Sequence, residues 1–140
     1  MEKRNESLLN INIGLKCTSE YVVEDKHTAK HIGSGDVSVL STPSMILFIE
    51  QTAMNCVQKY LPDENTTVGI LVNIKHLNPV PVNEKITVEV IVTSIENRKI
   101  VFDTKVYWRN IVVGEGLHER YVVNTNRFIE KIKKLISENK

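Results

Sequence analysis

One hundred and forty residues, 41% hydrophobic and 25% charged, suit a single globular domain over residues 1–140, because a chain of this size buries roughly two-thirds of its unfolded surface. The formal net charge of +1, with basic residues scattered except between Glu130 and Lys134, carries no polyanion-binding signature and excludes nucleic acid as an expected partner. No window reaches the apolar length of a membrane span, the charged start MEKRNESLLNINIGL has no sustained apolar core, and Cys17 and Cys56 lack metal-ligand spacing; the expectations are no membrane, a cytoplasmic location and reduced thiols.

A first strand is expected around Leu15 to Val23. From Glu24 to Ser41 the chain has two glycines, a histidine pair and no lasting periodicity, and it reads as a loop or lid. The pair His27 and His31 in HTAKH has the spacing of helical metal ligands, but no helical pattern surrounds it and no third ligand is evident, so no metal is expected. Thr42-Pro43 announces a helix, with threonine as its cap and proline in its first turn. Over PSMILFIEQTAMNCVQKY the polar residues Ser44, Gln51, Asn55 and Gln58 form one solvent stripe. Glu50 is off that stripe. Its helical neighbours are Ile46, Ala53, Met54 and Val57, where an ionised carboxylate costs roughly 2 kcal/mol or more unless it is offset. Two readings stand: a functional carboxylate, or one at the edge of the buried stripe that reaches water or an arginine.

Strands are expected at Gly69–Leu77, Ile86–Ile95, Ile100–Trp108 and Ile111–Val123, with tight turns at Glu96-Asn97-Arg98 and Arg109-Asn110, as an antiparallel meander. A closing amphipathic helix carries Phe128, Ile129, Ile132, Leu135 and Ile136 at helical spacing and is expected to cover an apolar surface. One long apolar helix followed by long antiparallel strands implies an α+β domain whose sheet curls around the helix, the hot-dog layout. An open edge strand is a hazard, so a homodimer that continues the sheet is expected.

His76 shares a strand face with Ile70, Val72 and Ile74, which should oppose the helix, and so it is the expected partner of Glu50: one as base or nucleophile, the other as proton carrier. The bland reading of His76 is a hydrogen-bonded core histidine. Thr42 lies eight residues before Glu50, about two turns away, so its hydroxyl can serve as cap and face the same cleft. In the last strand Gly114, Gly116, His118 and Arg120 share one face, where missing side chains allow close approach and Arg120 can bind a carboxylate or phosphate. The modest reading there is a bulge and an arginine paired with Glu115 or Glu119.

Three stretches, VLSTPSMILFIEQTAM, TVGILVNIKHLNPVPVNEKITVEV and GEGLHERYVV, resemble the hot-dog thioesterases similar to fluoroacetyl-CoA thioesterase. The most specific parts are the S-T-P helix start with glutamate eight residues after threonine, the VG strand opening that leads to KHLNPVPVN, and G-x-G-x-H-E-R. The resemblance implies a catalytic group of Thr42, Glu50 and His76, an acyl-CoA site helped by Gly69 and Arg120, and a dimer with its active site near the subunit interface. It also implies hydrolysis of a short acyl-CoA to a carboxylate and free CoA, with no cofactor apart from the CoA in the substrate. The lid departs from the fluoroacetyl-specific pattern, having no phenylalanine or tyrosine between Val22 and Thr42, so a small unfluorinated acyl group is expected. The alternatives are a non-catalytic acyl-CoA-binding or sensing module and a hydratase or dehydratase on the same fold.

Overall fold

The computed structural model describes residues 10–139. In chain order the elements are β1 (Lys16–Val22), a 3-10 turn (Asp25–His27), α1 (Ala29–Ile32), α2 (Thr42–Gln58), β2 (Asn65–His76), β3 (Lys85–Glu96), β4 (Lys99–Trp108), β5 (Ile111–Asn124) and α3 (Thr125–Glu138). The strands form one antiparallel sheet in the order β1-β3-β4-β5-β2. Only β3, β4 and β5 form the expected meander. β2, second in the chain, pairs with β5 at the far edge, and the connection to β3 carries the chain across to the other side of the sheet.

Helix α2 lies against one face of this sheet, and its inward stripe is Met45, Phe48, Ile49, Thr52, Ala53, Cys56 and Val57. The period of three to four residues is what burial of one helix face requires. Alternate residues of the strands meet it: Ile86, Val88, Val90 and Val92 from β3, Ile100, Phe102 and Val106 from β4, Val113 and Val122 from β5. Tyr21 of β1 stacks on Phe48 at 4.2 Å and shares a 3.0 Å hydrogen bond with Thr52. A curved sheet around a single long helix is the α+β hot-dog architecture.

Three expectations need correction. Ser41, not Thr42, caps α2: its Oγ accepts from the Ser44 amide at 3.1 Å, and Thr42 stands inside the first turn. Cys17 and Cys56 are not free thiols but form a disulfide between β1 and α2, with Cα atoms 5.8 Å apart, a separation inside the range a disulfide needs. Nothing in a 39-residue sequence separation announces that packing. Finally, α3 buries none of its residues, and Ile129, Ile132, Leu135 and Ile136 are exposed, so within one chain it does not cover the surface expected of it. No described helix is long and apolar enough to cross a membrane.

The disulfide closes a 39-residue loop across the core, and the chain-entropy argument gives it about 4 kcal/mol of stability. Urea unfolding with and without reductant measures this; an unchanged midpoint, in reductant or in the Cys17→Ala variant, would show that the bond contributes nothing.

Candidate functional site

Glu50 stands one position along from Ile49, at the flank of the buried stripe. Its side chain is 37% exposed, whereas that of Arg120, whose Nη1 lies 3.5 Å from Glu50 Oε2, is 6% exposed. Nearly every residue of this helix is apolar from Met45 to Ile49, so the sequence alone blurs where the inward face begins. Arg120 reaches Glu50 from β5, and β2 holds it from the other side: Arg120 Nε donates to Thr67 Oγ1 at 2.8 Å and Nη2 donates to the Thr67 carbonyl at 3.1 Å. Burial pushes the Arg120 pKa down and the Glu50 charge pushes it back up; an arginine keeps its proton throughout.

Gly69 closes this cluster. A Cβ there would run into Glu50 Oε2 and would sit 3.4 Å from both Arg120 Nη1 and His118 Cε1. The missing side chain therefore makes room for the carboxylate. β2 is also irregular at this point, because the register against β5 steps from Gly69↔Arg120 to Leu71↔Glu119 and leaves Ile70 as the extra residue of a bulge.

Thr42 and His76 form a second group. With Ser41 doing the capping, the Thr42 hydroxyl is free to bond His76 Nδ1 at 2.7 Å. His76 Nε2 is buried and has no hydrogen-bond partner among the described residues. Burial lowers the His76 pKa below 6.5 against a smaller opposing effect of the Asn78 backbone, so the imidazole is neutral at neutral pH. Beside it opens a hollow of about 330 Å³ lined by Ala29, Val39, Leu40, Thr42, Leu77 and Pro79 among others. A larger hollow, of about 530 Å³, lies on the opposite face of the sheet between Asn73, Lys75, Asp103 and Lys105, and none of the expected site residues borders it.

The five expected residues thus fall into two groups, Glu50 with Gly69 and Arg120, and Thr42 with His76. Within one chain Glu50 and His76 take different partners, and eight residues of helix, about 12 Å, separate Thr42 from Glu50. Sequence reasoning put His118 on the face of Arg120 without giving it a role, and it passed over Thr67 altogether; strand alternation was the available signal for both. Arg120 pairs with Glu50 rather than with Glu115 or Glu119, and Glu119 faces Lys99 instead. His27 accepts from the Glu24 amide through Nδ1 and packs edge-on against Phe48, His31 is exposed, and no metal-binding cluster occurs among the described residues.

His76 and His118 are both held below 6.5, chiefly by burial. The unfolded chain takes up those protons near pH 6.5 and the folded chain does not, so this part of the stability is complete above 6.5 and is lost as pH falls below it. Urea unfolding in steps from about pH 8 to pH 5 should show that decline; a flat profile would contradict the burial of these rings.

Residues 23–126 match the fluoroacetyl-CoA-specific thioesterase family. The fluoroacetyl-CoA thioesterase of Streptantibioticus cattleyicolor is 22% identical over 129 residues, covering 88% of this chain and 93% of the relative. Among solved structures, the fluoroacetyl-CoA thioesterase FlK superposes with a TM-score of 0.83 at 22% identity, over 89% of this chain and 96% of that one. A hot-dog-like protein from Thermanaerovibrio acidaminovorans gives 0.83 at 21% identity, over 92% and 94%, and a thioesterase superfamily member from Thermus thermophilus gives 0.84 at 18%, over 91% and 95%. At such identities the superpositions speak for the fold, and the family match adds the chemistry: the chain belongs to the fluoroacetyl-CoA-specific thioesterase family and is a hot-dog-fold thioester hydrolase.

Proposed function

We propose that the chain hydrolyses a short-chain, unfluorinated acyl-CoA to a carboxylate and free CoA, as a homodimer in which each active site takes Glu50, Gly69 and Arg120 from one subunit and Thr42 and His76 from the other. The observation that carries this is the division of the site into two unfinished groups at different points along one open edge strand, β2, which contributes Gly69 to one and His76 to the other. Ile70, Leu71 and Val72 of β2 are 50%, 40% and 43% exposed, an apolar edge that invites a partner strand. Antiparallel pairing of β2 with a second copy, about a two-fold axis between Val72 and Asn73, puts His76 of the partner subunit opposite Gly69. The unpaired Nε2 of His76 then faces the Glu50 carboxylate.

Hydrolysis follows from these parts. The partly exposed Glu50 carboxylate takes a proton from water as the water oxygen attacks the thioester carbonyl carbon, and the Arg120 guanidinium and the N-terminal amides of α2 favour the developing negative charge. His76 Nδ1 donates its hydrogen to the Thr42 hydroxyl oxygen, which leaves a lone pair on Nε2. Nε2 takes up the proton that Glu50 removed from water, and as the C–S bond breaks the resulting imidazolium gives that proton to the leaving sulfur and returns to its neutral form. No cofactor is involved beyond the CoA of the substrate, and the reaction belongs in the cytoplasm, where CoA thioesters are held. The hollow beside Thr42 and His76 has alanine, valine, leucine and proline in its walls and no phenylalanine, tyrosine or tryptophan, which suits a small unfluorinated acyl group.

Glu50→Gln should cut thiol release from acetyl-, propionyl- and butyryl-CoA by roughly a hundredfold or more while unfolding as the parent does; normal turnover in the purified variant would refute the mechanism. Shared sites make a sharper demand. Glu50→Gln chains remixed with His76→Ala chains should recover about a quarter of the parent activity, because half the dimers then carry one intact site. Sites contained within single subunits would give no recovery.

A further inference from the structure

His118 is fully buried, at 0% exposure, between β5 and the bulge of β2, with its ring stacked over Phe102 at 6.1 Å. Its two nitrogens meet groups that leave no choice of tautomer. Nδ1 lies 2.9 Å from the Leu71 carbonyl oxygen, which can only accept, so Nδ1 carries the hydrogen. Nε2 lies 3.1 Å from Arg120 Nη1, which can only donate, so Nε2 presents its lone pair. A second proton would set two N–H groups against each other beside a cation. The slot accepts a neutral imidazole alone, and burial together with the Arg120 charge acts in the same direction.

Thr67 fixes the Nε and Nη2 side of the guanidinium, and His118 fixes the Nη1 end, the end that faces Glu50 at 3.5 Å. We propose that His118 is a positioning residue: a permanently neutral imidazole that transmits the placement of the Leu71 carbonyl in the β2 bulge to Arg120 Nη1, and through it orients the Glu50 carboxylate over Gly69. This role rests on the reading of Glu50 as the base of the thioesterase. His118 acts through Arg120, the hydrogen-bond partner of its Nε2. Its supporting geometry is the shared point above Gly69, where a Cβ would meet Glu50 first and then Arg120 and His118 at equal distance.

Two substitutions divide the imidazole's functions. In His118→Gln the amide oxygen falls where Nε2 stood and can accept from Arg120, whereas His118→Asn keeps a donor for the Leu71 carbonyl but does not reach Arg120. His118→Asn should lower kcat roughly ten- to hundredfold, the cost of a misplaced catalytic group, with KM little changed under conditions where urea unfolding shows both variants folded, and His118→Gln should recover most of kcat. Equal activity of His118→Asn and the parent, or equal losses in both variants, would overturn the proposal. Nitrogen NMR of the unsubstituted protein gives the second reading: His118 should show a protonated Nδ1 and a bare Nε2 from about pH 8 to pH 5.5, and a protonated Nε2 would overturn the proposal even where neither variant folds. An unsubstituted protein that releases no thiol from any acyl-CoA refutes the thioesterase reading instead, and the NMR result still decides how His118 holds Arg120.

Discussion

A guanidinium taken almost entirely out of water must have its N–H groups met by acceptors, because an arginine cannot shed its charge. Arg120 meets that requirement with groups from three separate elements: Thr67 of β2, His118 of its own strand and Glu50 of α2. Each acceptor constrains the element that carries it. β2 must lie beside β5, α2 must turn its flank toward them, and Gly69 must have no side chain. The hydrophobic core sets the overall shape, with α2 pressed to the sheet through Phe48, Ile49, Ala53 and Val57, and the Cys17–Cys56 disulfide and the Tyr21–Thr52 hydrogen bond tie the same helix to β1. The ionic cluster sets the direction in which the carboxylate points.

Glu50 and Arg120 show how a polar cluster can serve chemistry without being deeply buried on both sides. The cation is enclosed and immobile, and the anion is partly open to water. A fixed positive charge beside an accessible carboxylate holds the carboxylate in one direction while leaving it in contact with solvent, whereas burying both would have exchanged that access for desolvation. The Thr42–His76 pair has the complementary character: a neutral ring, its pKa lowered by burial, with one nitrogen satisfied and the other not. In the proposed reaction the first group supplies the base for water and the second carries the proton to sulfur.

Much of the fold could be read from periodicity. The strands from Ile86 to Val123 fall within a residue or two of β3, β4 and β5, because alternation and short polar turns are local signals. The place of β2 could not be read that way, since pairing order depends on contacts between distant residues and not on any stretch of the chain; its apolar run looks the same at an edge as beside β3. The direction of Glu50 was hidden for a related reason, since Ile46, Leu47 and Met54 make the helix apolar beyond the face that packs, and Leu47 is exposed in the single chain. Ser41 displaced Thr42 as the cap because both are competent residues one position apart. The disulfide and the His118 slot required three dimensions outright: each joins residues whose spacing along the chain has no chemical pattern.

The long crossing from β2 to β3 has a temporal consequence. Glu50 and Gly69 leave the ribosome well before Arg120, and β2 has no neighbour of its own until β5, the last strand, has been made. The nascent chain therefore exposes an unpaired apolar ribbon from the completion of β2 until β5 is made, and ordering of the carboxylate is among the closing events of folding. A truncated product ending before β5 retains α2 and Glu50 but lacks Arg120, the cation that aims the carboxylate.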